Sequence, residues 1–169
     1  LYPVILAAAC GVLIPLVGRG GGRAVVTDDP LSDMRDLRLA QSVRIKAVGR
    51  AWDAGQQGTI DKTTVREDLK TVAWSSNWDQ PMRLAAIRAL FTETDERGIQ
   101  DNRSLIRLML PREPDPDLVA LLSQEAAKRG WADATPSLIR SLSRQWPGVP
   151  DTSRPEFRAI TTLNPGKPV

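Results

Sequence analysis

Three pairs of basic residues, each four positions apart, are the side chains best placed for chemistry: Arg66/Lys70, Arg103/Arg107 and Arg140/Arg144. On a helix this spacing puts both cations of a pair on one face, where like charges repel by a few tenths of a kcal/mol. Two readings meet that cost. The pairs form a surface for an anionic ligand or partner, or they form the solvated face of an arginine-rich protein, compensated by neighbours such as Glu67 and Asp68. The pairs are not in strict register. Aligning Ser104-Leu105-Ile106-Arg107 with Ser137-Leu138-Ile139-Arg140 matches Arg107 to Arg140, but it sets Arg103 against Pro136.

Other chemistry is excluded by composition. There is no histidine, so there is no histidine base, no Ser-His-Asp triad and no imidazole metal ligand. Cys10 is the single cysteine, which rules out an internal disulfide and a multi-cysteine zinc site. Asp28-Asp29 fall in a linker, Asp95-Glu96 in a turn, and Asp115 and Asp117 at a helix start. None has a spacing that predicts general acid–base work, so no catalytic residue, metal or cofactor is expected. The five tryptophans outnumber the tyrosine and the two phenylalanines together, and Trp52, Trp74, Trp78, Trp131 and Trp146 all fall near helix ends or turns. They are expected to fill gaps between packed helices. The net charge of +3 hints at an acidic partner without indicating nucleic acid.

All 43 charged residues lie beyond Gly18. Residues 1–18 therefore read as an apolar signal or membrane anchor, near the roughly 20 residues a span requires. Leu6-Ala7-Ala8-Ala9-Cys10-Gly11 resembles a bacterial lipoprotein signal, which implies lipidation at Cys10. The resemblance departs at the alanine three before the cysteine and in the apolar run after it. Residues 19–31, with Gly20-Gly21-Gly22, read as a flexible linker. Arg19 and Arg23 favour a cytoplasmic side for the remainder of the chain. The signal-like features favour export, and a membrane-associated, extracytoplasmic (periplasmic) location is expected. The chain lacks an initial methionine and opens a fresh repeat near Val169, so further sequence is expected on both sides.

Residues 32–146 must position the basic pairs. Apolar spacing and capping residues predict helices over about Ser32–Ala54, Lys62–Ser75 capped by Asp61, and Pro81–Thr92. Further helices are predicted from an Asp101 cap to Leu110, from Pro116 to Arg129, and from Thr135 to Gln145. Residues 147–169 give a proline-rich connection and a last helix over Glu156–Leu163. No segment alternates as a strand, so the chain is expected to be all-α, in three hairpins preceded by one apolar helix.

The hairpins repeat. Ala47-Val48-x-x-Ala51, Ala86-Ile87-x-x-Leu90 and Ala159-Ile160-x-x-Leu163 share a pattern, as do the two Ser-Leu-Ile-Arg segments. A period of about 33 to 40 residues marks a helical repeat array. Residues 118–144, with Ala126-Ala127-x-x-Gly130, a short turn, Pro136 and Leu138-Ile139-x-x-Leu142, resemble the HEAT-like repeat family. That resemblance covers about Asp33 to Arg144. It implies a short α-solenoid whose second helices line a concave partner-binding face. The expected function is a non-catalytic scaffold or accessory subunit of a membrane-associated bacterial complex, with a protein partner and the membrane as its contacts. Nucleic acid is not favoured. The alternative is a HEAT-like nucleic-acid-binding or enzyme module using the basic face.

Overall fold

The computed structural model describes residues 25–143 and 151–166, and among them all regular structure is helical. The apolar segment, Cys10, Arg144 and Trp146 lie outside the described residues. The helices are α1 (Pro30–Arg35), α2 (Gln41–Gln56), α3 (Lys62–Trp74), α4 (Gln80–Leu90), α5 (Glu96–Met109), α6 (Pro116–Lys128), α7 (Thr135–Leu142) and α8 (Pro155–Leu163).

Local sequence sets their starts. Asp29, Asp61, Asp79, Asp95 and Asp115 cap α1, α3, α4, α5 and α6, each accepting a backbone N–H of the first turn. Proline stands in the first turn of α1, α4, α6, α7 and α8, where its missing N–H costs nothing. Gly130, at φ +67°, turns the chain after α6 in a conformation that favours glycine.

Three sequence expectations change. The single helix over Ser32–Ala54 is instead two, broken at Asp36–Ala40. Asp36 accepts the backbone N–H and the guanidinium of Arg38, a local turn that competes with the helix. The linker expected to Leu31 ends sooner, because Thr27 donates to the buried Asp33 of α1. The helix expected to start at an Asp101 cap starts six residues earlier. Asp95 caps it, and Asp101 sits inside α5. The residues expected to form a turn, Asp95-Glu96, are the cap and first residue of α5. Gly98 in its first turn provides clearance, since a Cβ there would lie 2.2 Å from Cγ of Glu93.

The helices pack in order. α2 lies on α3 and α4, α4 on α6, and α6 on α8, while α5 lies on α6 and α7, and α7 on α8. The repeated motifs occupy one buried stripe. Ala47, Val48 and Ala51 of α2, Ala86, Ile87 and Leu90 of α4, and Ala159 and Ile160 of α8 are at most 3% exposed. α6 carries a further copy, Leu122-Ser123-x-x-Ala126, equally buried. Ala47, Ala86, Leu122 and Ala159 fall 39, 36 and 37 residues apart. This copy escapes a sequence reading because serine replaces the β-branched residue.

Ser123 is 0% exposed, and its hydroxyl has no hydrogen-bond partner. An unsatisfied buried hydroxyl costs about 1–3 kcal/mol, and alanine also favours the helix by a few tenths. Ser123→Ala is therefore expected to stabilise the protein by about 1 kcal/mol in urea denaturation. A loss of stability would show that the hydroxyl is needed.

Candidate partner-binding surface

The basic pairs are joined to carboxylates of the next hairpin. Asp101 of α5 accepts from Arg66 at 2.6 Å and from Lys70 at 3.0 Å, both on α3. Asp133, in the 3-10 turn Ala132–Ala134 before α7, accepts from Arg103 at 2.7 Å and lies 3.5 Å from Arg107. Asp68 of α3 does the same for Arg35 of α1. One carboxylate from the following element thus sits at each described i, i+4 pair and removes the repulsion that the sequence predicts.

Three helix caps make similar joints. Asp79 caps α4 through Met82 N–H and takes Arg44 of α2 at 3.2 Å. Asp115 caps α6 and accepts from Gln80 of α4 at 3.0 Å. Asp95 caps α5 and accepts from Lys62 at 2.7 Å. These bridges span 35, 35 and 33 residues of chain, one repeat each.

Two glutamates that no spacing argument singled out complete the joints. Glu93 and Glu113 each stand two residues before a capping aspartate, in Glu93-Thr94-Asp95 and Glu113-Pro114-Asp115. Both are buried. Glu93 accepts from Thr94 N–H and from Lys62. Glu113 accepts from Asp115 N–H and from the buried Arg83. The recurrent Glu-x-Asp was the readable signal. Further along, Arg154 reaches the carbonyls at the end of α7 and pairs with the buried Glu156 at 3.1 Å.

Of the sequence-predicted site residues, Arg66, Lys70, Arg103, Arg107 and Arg140 lie among the described residues, and Cys10 and Arg144 do not. Arg66 is buried, and Arg103 is held by Asp133, so neither is presented outward. Lys70, Arg107 and Arg140 instead line two adjoining clefts. One, of about 300 Å³, lies between α3 and α5 and is lined by Lys70, Thr71, Trp74, Ser75 and Leu105. The other, of about 400 Å³, lies between α5 and α7 and includes Arg107, Leu108, Asp133, Pro136 and Arg140. Leu105 and Leu108 are one turn apart on α5, so the clefts share a ridge. Trp74 and Leu108 are 43% and 55% exposed, large apolar side chains beside cations.

Trp74 thus departs from the packing role expected of the tryptophans, which Trp52 and Trp131 do fill. Trp131 meets Phe91 across the hairpins at 6.2 Å, with Arg129 over both rings. Among the described residues no group of acidic or cysteine side chains is arranged to hold a metal ion.

The bridges make two stability predictions. Arg66 is only 9% exposed at its side chain, so Asp101→Ala strands a buried cation and is expected to cost about 1–3 kcal/mol. Glu67→Ala, at the exposed end of the Glu67–Lys70 pair, is expected to cost under about 0.5 kcal/mol. Equal losses in urea denaturation would refute the bridging role of Asp101.

The second concerns pH. Hydrogen bonds from Lys62 and from Gly98 N–H hold Asp95 well below the usual carboxylate range. Arg38 lowers Asp36 to about 2, and the Thr64 hydroxyl and N–H lower Asp61. Burial pushes Asp33 up, but Thr27 and Arg50 outweigh it and its pKa is lowered. Depressed carboxylates stabilise the fold above their unfolded pKa, near 3.8, and lose that contribution as pH falls through their folded values. Lys62, raised above 10.5 by Asp95, loses its contribution only as pH climbs past that value. Melting temperature should thus hold from pH 9 to about 5 and fall between about 4 and 2. A rise in melting temperature on acidification from pH 4 would contradict this.

No family model matches the chain, and no curated protein or solved structure matches it. The functional reading rests on the geometry of these clefts.

Proposed function

We propose that this chain is a non-catalytic protein-interaction scaffold, an accessory subunit of a membrane-associated bacterial complex, built as a short HEAT-like α-solenoid. The hairpins are α2/α3, α4/α5 and α6/α7, with α8 opening another and α1 closing the first end. Bridges that recur at 30 to 37 residues support this arrangement, because only stacked copies bring such positions together repeatedly.

The observation that carries the function is the paired clefts. Trp74 beside Lys70, and Leu108 beside Arg107 and Arg140, set large apolar contacts next to cations, the composition of a protein-binding hot spot. Most cations of the basic ladder already hold carboxylates, which supports a protein partner over the nucleic-acid alternative. Among the described residues no helix is long and apolar enough to cross a membrane. The membrane role and the extracytoplasmic location therefore rest on residues 1–18, with lipidation of Cys10 as one route.

The test is quantitative capture by the full chain in mild detergent, comparing wild type with Trp74→Ala/Leu108→Ala. The expected result is a stoichiometric protein partner, retained at high salt and reduced about tenfold or more by the double variant. Capture that ignores the variant, or nucleic acid released steeply by salt, would refute the reading.

A further inference from the structure

Arg83 of α4 is buried and joins two stretches of chain. It donates to the Ala73 carbonyl at 3.0 Å and to both carboxylate oxygens of Glu113, one of them at 3.2 Å. Ala73 stands directly before Trp74, and Glu113 directly after Arg112. One buried guanidinium thus sets the end of α3 beside the joint between α5 and α6. The joint is itself held, because the backbone N–H groups of Arg112 and Glu113 both reach the Met109 carbonyl, at 2.8 and 2.9 Å. Trp74 and Arg112 come together on the walls of a cleft of about 170 Å³ that also includes Met109 and Pro114. Trp74 lines a second cleft as well, the one of about 300 Å³ that includes Leu105. Leu105 and Met109 are one turn apart on α5 and at most 7% exposed, so α5 gives each cleft an apolar wall.

The charges here do not cancel. Among the described residues Glu113 is the one carboxylate that lines either cleft, and Arg83 takes it. Lys70 is held by Glu67 and Asp101. Arg112 is exposed and has no carboxylate partner among the described residues. From this site, and resting on the scaffold reading above, we propose that the two clefts bind an extended segment of the partner protein in which an acidic residue stands two positions after an apolar one. The apolar side chain enters the larger cleft against Trp74 and Leu105, and the carboxylate meets Arg112. Side chains two positions apart in an extended chain point the same way, about 6.8 Å from each other, which lets them straddle one indole. Charge complementarity fixes the acidic residue. A single unpaired cation beside an indole does not suit a phosphate backbone, which rewards many cations in a row. Arg83 and the Met109 carbonyl hold both walls before binding, so little ordering of the site opposes it.

The probe is the peptide acetyl-Gly-Ser-Phe-Gly-Glu-Gly-Ser-amide, added to the isotope-labelled full chain in detergent. The expected result is saturable shifts of the Trp74 indole N–H and the Arg112 amide. Glutamine in place of the peptide's glutamate should weaken binding about three- to fivefold. Arg112→Ala in the protein should do the same, with no further loss when the two changes are combined. Alanine in place of the peptide's phenylalanine, or Trp74→Ala in the protein, should abolish saturation. Trp74 and Arg112 are both exposed, and unchanged amide dispersion would show that their variants remain folded. No saturation at millimolar peptide, equal affinity for the glutamate and glutamine peptides, or shifts centred on Arg107 and Arg140 would overturn the proposal and leave the scaffold reading standing. Acetyl-Gly-Ser-Phe-Gly with a free carboxylate, binding as tightly as the acidic peptide, would overturn the choice of an internal acidic residue. Partner capture that ignores Trp74→Ala/Leu108→Ala sinks the scaffold reading instead.

Discussion

The carboxylate that each element hands back to the one before it is the constraint on which this structure depends. The buried stripe of small and branched apolar residues supplies the driving force, but that force has no direction. Alanine, valine, isoleucine and leucine at Ala47, Val48, Ala86, Ile87 and Leu122 fit many registers of one helix against another. Charge-assisted hydrogen bonds do have direction and length. Asp79 meeting Arg44 at 3.2 Å, Asp95 meeting Lys62 at 2.7 Å and Asp101 meeting Arg66 at 2.6 Å hold α2 to α4 and α3 to α5 in one register. The same aspartates that start α4 and α5 make two of these contacts, so helix initiation and stacking share an atom group. A shifted register breaks the bridges and strands the cations, Arg44 and Arg66 among them in buried positions. The cost of an unpaired buried charge is a stronger specifier than the modest gain of the pair.

The same economy of charge shapes the surface. A protein with 23 basic residues invites a reading as a polyanion binder. The bridges change that reading, since Arg66, Lys70 and Arg103 hold carboxylates of their own chain. The outward remainder is smaller and mixed. Arg107, at 55% side-chain exposure, and Arg140 stand beside Leu108 and Pro136 in one cleft, and Lys70 beside Trp74 in the other. Isolated cations beside exposed large apolar groups suit a protein segment with few charges better than a phosphate backbone, which rewards many unpaired cations in a row.

Much of the fold was legible because its signals are local. Asp61, and Asp79 and Asp115 with the prolines after them, marked three helix starts within a residue or so, and repeated Ala-Ile-x-x-Leu marked the buried stripe. The misreadings were also local. Asp36 breaks the first helix because its carboxylate captures Arg38, a contest between turn and helix that periodicity does not weigh. Asp95-Glu96 looked like a turn and opens α5, where Gly98 gives clearance to Glu93, a reason that exists only once the buried glutamate is placed. The basic pairs were found from spacing, but their partners lie 26 to 35 residues away and belong to other helices. A one-dimensional pattern shows that two cations share a face; it does not show which carboxylate comes to meet them.

Ile106 and Ile139 show where sequence reasoning reaches its boundary. Identical four-residue strings give one isoleucine wholly buried and the other half exposed. Nothing in the strings differs. The difference is the next element along the chain. A residue's burial is thus a property of the helix packed against it as much as of itself.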